Sequence, residues 1–273
     1  MPTLIVILLG ALIIGVVLGR EPWRRFWRKR IQAQPFPAQW RAILRQRVPY
    51  FRALPADLQL QLKKHIQVFI AEKKFIGCEG MTVTDEMRVT IAAQACLLLL
   101  NRPDYYYPKL EQILIYPAAF IVRSAAPDAA GVVTEQRRVL SGESWGQGKV
   151  VLSWQDAREG AAQPHDGRNV VIHEFAHQLD QEKGLATGAP LLSRSSDYQQ
   201  WSSVMQQAFG QLQQQTASGI SGLLDGYGAT NPAEFFAVIS EVFFEQPEQL
   251  QTQYPALYQQ LSRFYRLNPL SWQ

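Results

Sequence analysis

The stretch "NVVIHEFAHQLDQEKG", residues 169–184, limits what this chain can become more than any other. It sets His173 and His177 four residues apart, with Glu174 directly after the first. On a helix that turns about 100° per residue the two imidazoles share one face and can address one ion. Glu174 is rotated away from ligation but can lean over a water held there. Asn169 suits an N-cap and Gly184 a stop, so a helix over 170–183 is predicted. A random shuffle of this composition yields the pattern in roughly 0.3% of cases, which leaves chance a poor account. The bland alternative is two satisfied histidines on a half-buried helix. A zinc-type ion needs further ligands, so the fold must bring another donor to this helix.

That donor is sought in "YGATNPAEFFAVISEVFFEQP", residues 227–247, an apolar helix interrupted by Glu234 and Glu241. The two acids are about two turns apart and face the same way. A buried carboxylate is costly unless paired or metal-bound. Glu234 has a rival role in a capping box begun by Asn231, worth about 1 kcal/mol. Ligating a dication is worth much more, so Glu234 is expected as the third ligand. Glu241 is the reserve ligand, and otherwise an acceptor behind the ligands. Asp180 shares the histidine face and is expected to hold a histidine N–H rather than to ligate. Tyr227, in a glycine-flanked loop, is either an oxyanion donor or a core tyrosine. His65 reads as a helix surface or boundary histidine and His165 as a loop one, since neither has a partner at metal spacing.

Charge is uneven along the 273 residues: the net is +4, but residues 1–52 carry ten Lys or Arg against Glu21 alone. The rest is net acidic and offers no broad basic surface, so direct nucleic-acid binding is not expected. Residues 3–19, "TLIVILLGALIIGVVLG", are apolar without charge and just long enough to suggest a short transmembrane helix. Arg20, Arg24, Arg25, Arg28, Lys29 and Arg30 follow it, which by the positive-inside rule predicts a membrane anchor with a cytoplasmic catalytic body. The alternative is a cytoplasmic protein with a peripheral basic-aromatic segment. Cys78 and Cys96 form no metal motif and read as reduced thiols.

The expected organisation is an anchor and basic segment over 1–30, then one domain over 31–273. Leu58, Leu62, Ile66, Phe69 and Ile70 predict a helix over 56–74. Thr84 or Asp85 opens a second, deeper one. "QILIYPAAFIV" and "GKVVLSW" read as strands. A Gln-rich helix over 195–215, a glycine-rich link and two closing helices complete an α+β, mostly helical fold with a small β-sheet. Tyr105, Tyr106 and Tyr107 are expected to pack under a loop.

"HEFAHQLD" followed by "LLDGYGATNPAEFFAVISEVFF" resembles the Mlc titration factor A family of zinc-dependent peptidases, from about residue 35 to the C-terminus. The resemblance implies a zincin-like fold akin to the catalytic domain of anthrax lethal factor. It also implies one Zn²⁺ per chain on the positions of His173, His177 and Glu234, with Glu174 as the catalytic glutamate and Tyr227 as a transition-state tyrosine. Aminopeptidase-like hydrolysis of short peptides is what it implies for activity. A second reading from another class is a regulatory binding protein that sequesters a transcriptional repressor. An intact Glu174 favours catalysis, because a purely structural zinc site has no use for it.

Overall fold

Leu58, Leu62, Ile66 and Phe69 are all buried along one face of a helix over Ala56–Glu72, as their spacing requires. The computed structural model describes residues 19–102, 104–127, 133–140, 142–145 and 148–272. In chain order the helices are α1 (residues 19–32), α2 (Ala38–Arg47), α3 (Tyr50–Ala53), α4 (Ala56–Glu72), α5 (Asp85–Leu97), α6 (Trp154–Ala162), α7 (Val170–Asp180), α8 (Asp197–Ala217), α9 (Pro232–Glu245), α10 (Pro247–Gln253) and α11 (Pro255–Tyr265). The strands are β1 (Lys74–Gly77), β2 (Gln112–Tyr116), β3 (Phe120–Pro127), β4 (Val133–Leu140), β5 (Gly142–Trp145) and β6 (Lys149–Ser153).

The sheet order is β1-β2-β6-β5, with β1, β2 and β6 parallel and β5 antiparallel at one edge. Lys74 pairs with Gln112, and Gln112 with Lys149. Parallel neighbours need a crossover, and α5 supplies the one between β1 and β2. Its Thr84 cap accepts from the Met87 N–H at 3.3 Å. Strands β3 and β4 form a separate antiparallel pair. The segment read as one strand, "QILIYPAAFIV", is broken after Tyr116, where Pro117 ends the ladder. The helix expected over 56–74 stops at Glu72, because pairing with β2 draws Lys74–Gly77 into the sheet. Three helices, not two, close the chain, since Pro247 and Pro255 each restart the helix at a first-turn position.

The N-terminal transmembrane helix expected from the sequence is not supported: among the described residues no helix is long and apolar enough to cross a membrane. Residues 3–18 of the apolar run lie outside the described residues. The described helix α1 carries six basic residues and Glu21 between residues 20 and 30, a density no bilayer core accepts. One of the arginines counted in the basic cluster turns inward. Arg28 is 5% exposed and pairs with Glu72 at 2.6 Å and 3.0 Å, donates to the Asp104 carbonyl at 2.8 Å, and lies 4.5 Å over the Tyr106 ring.

His65 is buried against Tyr106, not on the helix surface. Tyr106 and Tyr107 are buried as expected, and the Tyr107 hydroxyl donates to the Ala95 carbonyl at 2.7 Å. The core meets the site at Phe175. Its ring lies 5.7 Å from Phe69 and 4.8 Å from Tyr107, backing α7 onto α4 and the loop before β2. Burying such a ring stabilises by about 2–3 kcal/mol and fixes which face of α7 is left for chemistry.

Candidate metal centre

Asn169 starts α7, its side-chain oxygen accepting from the Ile172 N–H at 3.0 Å. Phe175, Ile172 and Leu179 take the core side, so His173 and His177 emerge together on the other, their rings 4.9 Å apart. The expected helix over 170–183 is α to Asp180 and tightens into a 3₁₀ turn over Gln181–Lys183.

Helix α9 packs directly against α7 and brings the acid. Asn231 caps α9 by accepting from the N–H groups of Ala233 and Glu234 at 2.9 and 3.0 Å. The first turn is thereby satisfied by Asn231, and the Glu234 side chain turns to the histidines. Its Oε2 lies 3.0 Å from His173 Nε2 and 3.3 Å from His177 Nε2. One donor atom from each of the three residues falls within 4.8 Å of the others, and among the described residues this is the group suited to a metal ion. Two nitrogens and one oxygen at this spread match the donor set of a site that keeps a position open.

Glu241 lies behind the ligands. Its Oε1 is 2.7 Å from His173 Nδ1, which aims Nε2 at Glu234, and its Oε2 accepts from the Asn169 N–H at 2.5 Å. Of the two roles weighed for it, the structure supports the acceptor. Asp180 does neither of the things expected of it. Its Oδ2 accepts from the Gly188 N–H at 2.6 Å, tying down the loop that leaves α7. Gly188 itself has φ +73 and sits against Pro232, where a Cβ would strike the Pro232 carbonyl, while its own carbonyl takes the Trp201 indole N–H at 3.1 Å. That wedge joins the end of α7 to the start of α9.

The charges at the centre are strongly coupled. Burial lowers the His173 pKa, but Glu241 beside it and hydrogen bonds with Glu234 and Glu241 outweigh that and raise it well above its ordinary value in the metal-free chain. Burial would raise Glu234, yet hydrogen bonds from the two imidazoles hold it well below the usual carboxylate range. Glu174 is 4% exposed, and burial pushes it up to about 7 against the pull of both histidines. Its Oε2 is buried without a hydrogen-bond partner among the described residues, as befits an acid whose partner arrives with a ligand. Tyr227 is 50% exposed on a 3₁₀ turn over Gly226–Ala229, its ring 6.1 Å from that of His173. The structure thus gathers all five residues singled out in the sequence, and leaves His65 and His165 out of the metal group.

Two features escaped the sequence reading. Glu245, 4% exposed one turn beyond Glu241, accepts from Asn169 Nδ2 at 3.0 Å. Burial pushes it up to about 9, with the Asn169 hydrogen bond opposing and Asp166 and Glu241 adding like charge. A third acid at helical spacing in "SEVFFE" was the available signal. Arg168 pairs with Asp225 at 2.9 Å, a contact no local pattern announces.

A family model described as glucose-regulated metallo-peptidase M90 matches residues 23–266. An uncharacterized protein of Synechocystis sp. is 41% identical over 271 residues, covering 99% of this chain and 98% of its own length. Mlc titration factor A of Yersinia pestis, and that of Yersinia pseudotuberculosis, are each 35% identical over 237 residues, 86% of either chain. With the match spanning nearly the whole body and the His-His-Glu group inside it, the chain belongs to the glucose-regulated metallopeptidase family M90, together with the Mlc titration factor A proteins.

Proposed function

We propose that this chain is a zinc-dependent peptidase acting on short peptides in an aminopeptidase-like manner. The observation that carries the reading is the convergence of His173, His177 and Glu234 with Glu174 buried beside them. His173, His177 and Glu234 would hold one Zn²⁺, and nitrogen with carboxylate oxygen suits that ion better than magnesium or calcium. When bound, the ion supplies a Lewis acid that acidifies water and polarises a carbonyl. Glu241 keeps the His173 ring turned toward the ion. Glu174, with a pKa near 7, is suited to take a proton from the attacking water and hand it to the leaving amine. Tyr227, half exposed beside His173, would donate its hydroxyl to the oxyanion.

Glu174→Gln tests this. The variant should keep its zinc and lose peptide hydrolysis by at least about 10²-fold. Full activity in the purified variant would falsify the assignment.

The relatives' name speaks of titrating Mlc, which favours a second reading for this chain, binding of a repressor of that kind. Persistence of such binding in Glu174→Gln would make it independent of the chemistry.

A further inference from the structure

Two consecutive residues ahead of α7, Arg168 and Asn169, bond to both halves of the centre. Asn169 does more than a helix cap requires. Capping uses only its side-chain oxygen, toward the Ile172 N–H. Its Nδ2 donates to the Gly160 carbonyl at 3.2 Å and to Glu245 Oε1 at 3.0 Å, and its backbone N–H donates to Glu241 Oε2. Glu241 is therefore gripped at one oxygen by Asn169 while the other orients His173. Serine or aspartate would cap equally well but has no Nδ2 to make the side-chain clamp.

Arg168 serves the opposite side. Its guanidinium pairs with Asp225 Oδ2 at 2.9 Å, and Asp225 Oδ1 accepts from the Tyr227 N–H at 2.9 Å. The turn packs against α8 and α9, with Gly228 buried against Leu212 and Val238, and the Thr230 hydroxyl donates to the Tyr227 carbonyl at 2.7 Å. The Asp225 cap, paired from outside with Arg168, ties the Tyr227 N–H to the residue ahead of Asn169.

We infer that Arg168 and Asn169 are positioning residues, Asn169 with Glu245 fixing the metal-binding imidazole through Glu241, and Arg168 fixing the Tyr227 turn through Asp225. This rests on the zinc-peptidase reading above. Its two arms separate by readout. Asn169 acts on metal affinity, and Arg168 on turnover alone.

Zinc affinity is measured by competition with a chromophoric chelator, in parallel with peptide hydrolysis by the same purified chains. Asn169→Ser, which keeps the cap and the backbone N–H to Glu241 but loses the bonds to Gly160 and Glu245 that hold that backbone in place, and Glu245→Leu should each weaken zinc binding, by less than the about 10–100-fold expected for losing a direct partner of a ligand. Glu245→Gln keeps the acceptor for Asn169 and should stay within about threefold of wild type. Arg168→Gln should leave zinc affinity unchanged, lower kcat about fivefold with little change in KM, and have no further effect in a Tyr227→Phe background. Unchanged zinc affinity in Asn169→Ser, or an Arg168→Gln effect that persists in full without the Tyr227 hydroxyl, overturns the inference. Zinc binding that survives His173→Ala is a different result, which removes the metal reading itself and this inference with it.

Discussion

Replacing Glu245 with glutamine is expected to stabilise the chain at neutral pH. The carboxyl is 4% exposed, and its folded-state pKa stands at about 9 against an ordinary 4.5. Between those values the folded chain holds a proton that the unfolded chain has released. Stability therefore falls as pH rises through this window, being fully present below about 4.5 and lost on approach to about 9. At pH 7 the penalty is at most on the order of 3–4 kcal/mol, from roughly 2.5 pH units at about 1.4 kcal/mol each. Glutamine is neutral throughout, matches the protonated acid in shape, and keeps an oxygen for Asn169 Nδ2. The variant should equal wild type near pH 4 and gain steadily over it as pH rises toward about 9. Urea unfolding of both proteins at pH 5, 6, 7 and 8, with chelator present so that bound metal adds nothing, measures the difference directly. A difference that stays flat from pH 5 to pH 8 would refute the reasoning, as would a wild type more stable than the variant at pH 8.

Gly188→Ala should destabilise by at least about 2 kcal/mol in the same unfolding assay, because φ +73 disfavours a side chain and the new methyl meets the Pro232 carbonyl. Arg28→Met should cost about 1–3 kcal/mol by taking two close hydrogen bonds from the partly buried Glu72, which among the described residues keeps only Arg24 at 3.7 Å; a loss under about 0.5 kcal/mol would show that the pair is effectively solvated. Adding zinc at about 100 times its dissociation constant should stabilise the chain by about 2.7 kcal/mol in a thermal melt, reversed by chelator and absent in Glu234→Ala.

The metal helix was legible in the sequence because its pattern is local: four residues set the imidazoles on one face, and Asn169 marks the start. Glu234 and Glu241 were legible as a pair because acids are conspicuous in an apolar helix. Which of them ligates depends on how α9 meets α7, and that crossing is set by side chains far away in sequence. Asp180 was misjudged for a related reason. Its helical position points at the site, but the loop returning through Gly188 offers backbone donors that a periodicity argument does not contain. The strand at Lys74–Gly77 was not read as one, and the helix before it was carried on to residue 74, since four residues carry too little pattern until β2 is there to pair. At the N-terminus the sequence reading counted Arg28 only as one charge of a cluster, because its bond to Glu72 joins residues 44 apart and leaves no local pattern.

Phe175 follows Glu174 and wedges α7 against Phe69 and Tyr107. A rod held so firmly from behind cannot roll, so the imidazoles form the stationary jaw of the cleft. On the peptidase reading proposed above, accommodation of peptides of different girth would fall to the opposite jaw, the half-exposed tyrosine on its glycine-rich strap. Mutations that stiffen that strap should narrow the range of substrates accepted without touching the metal.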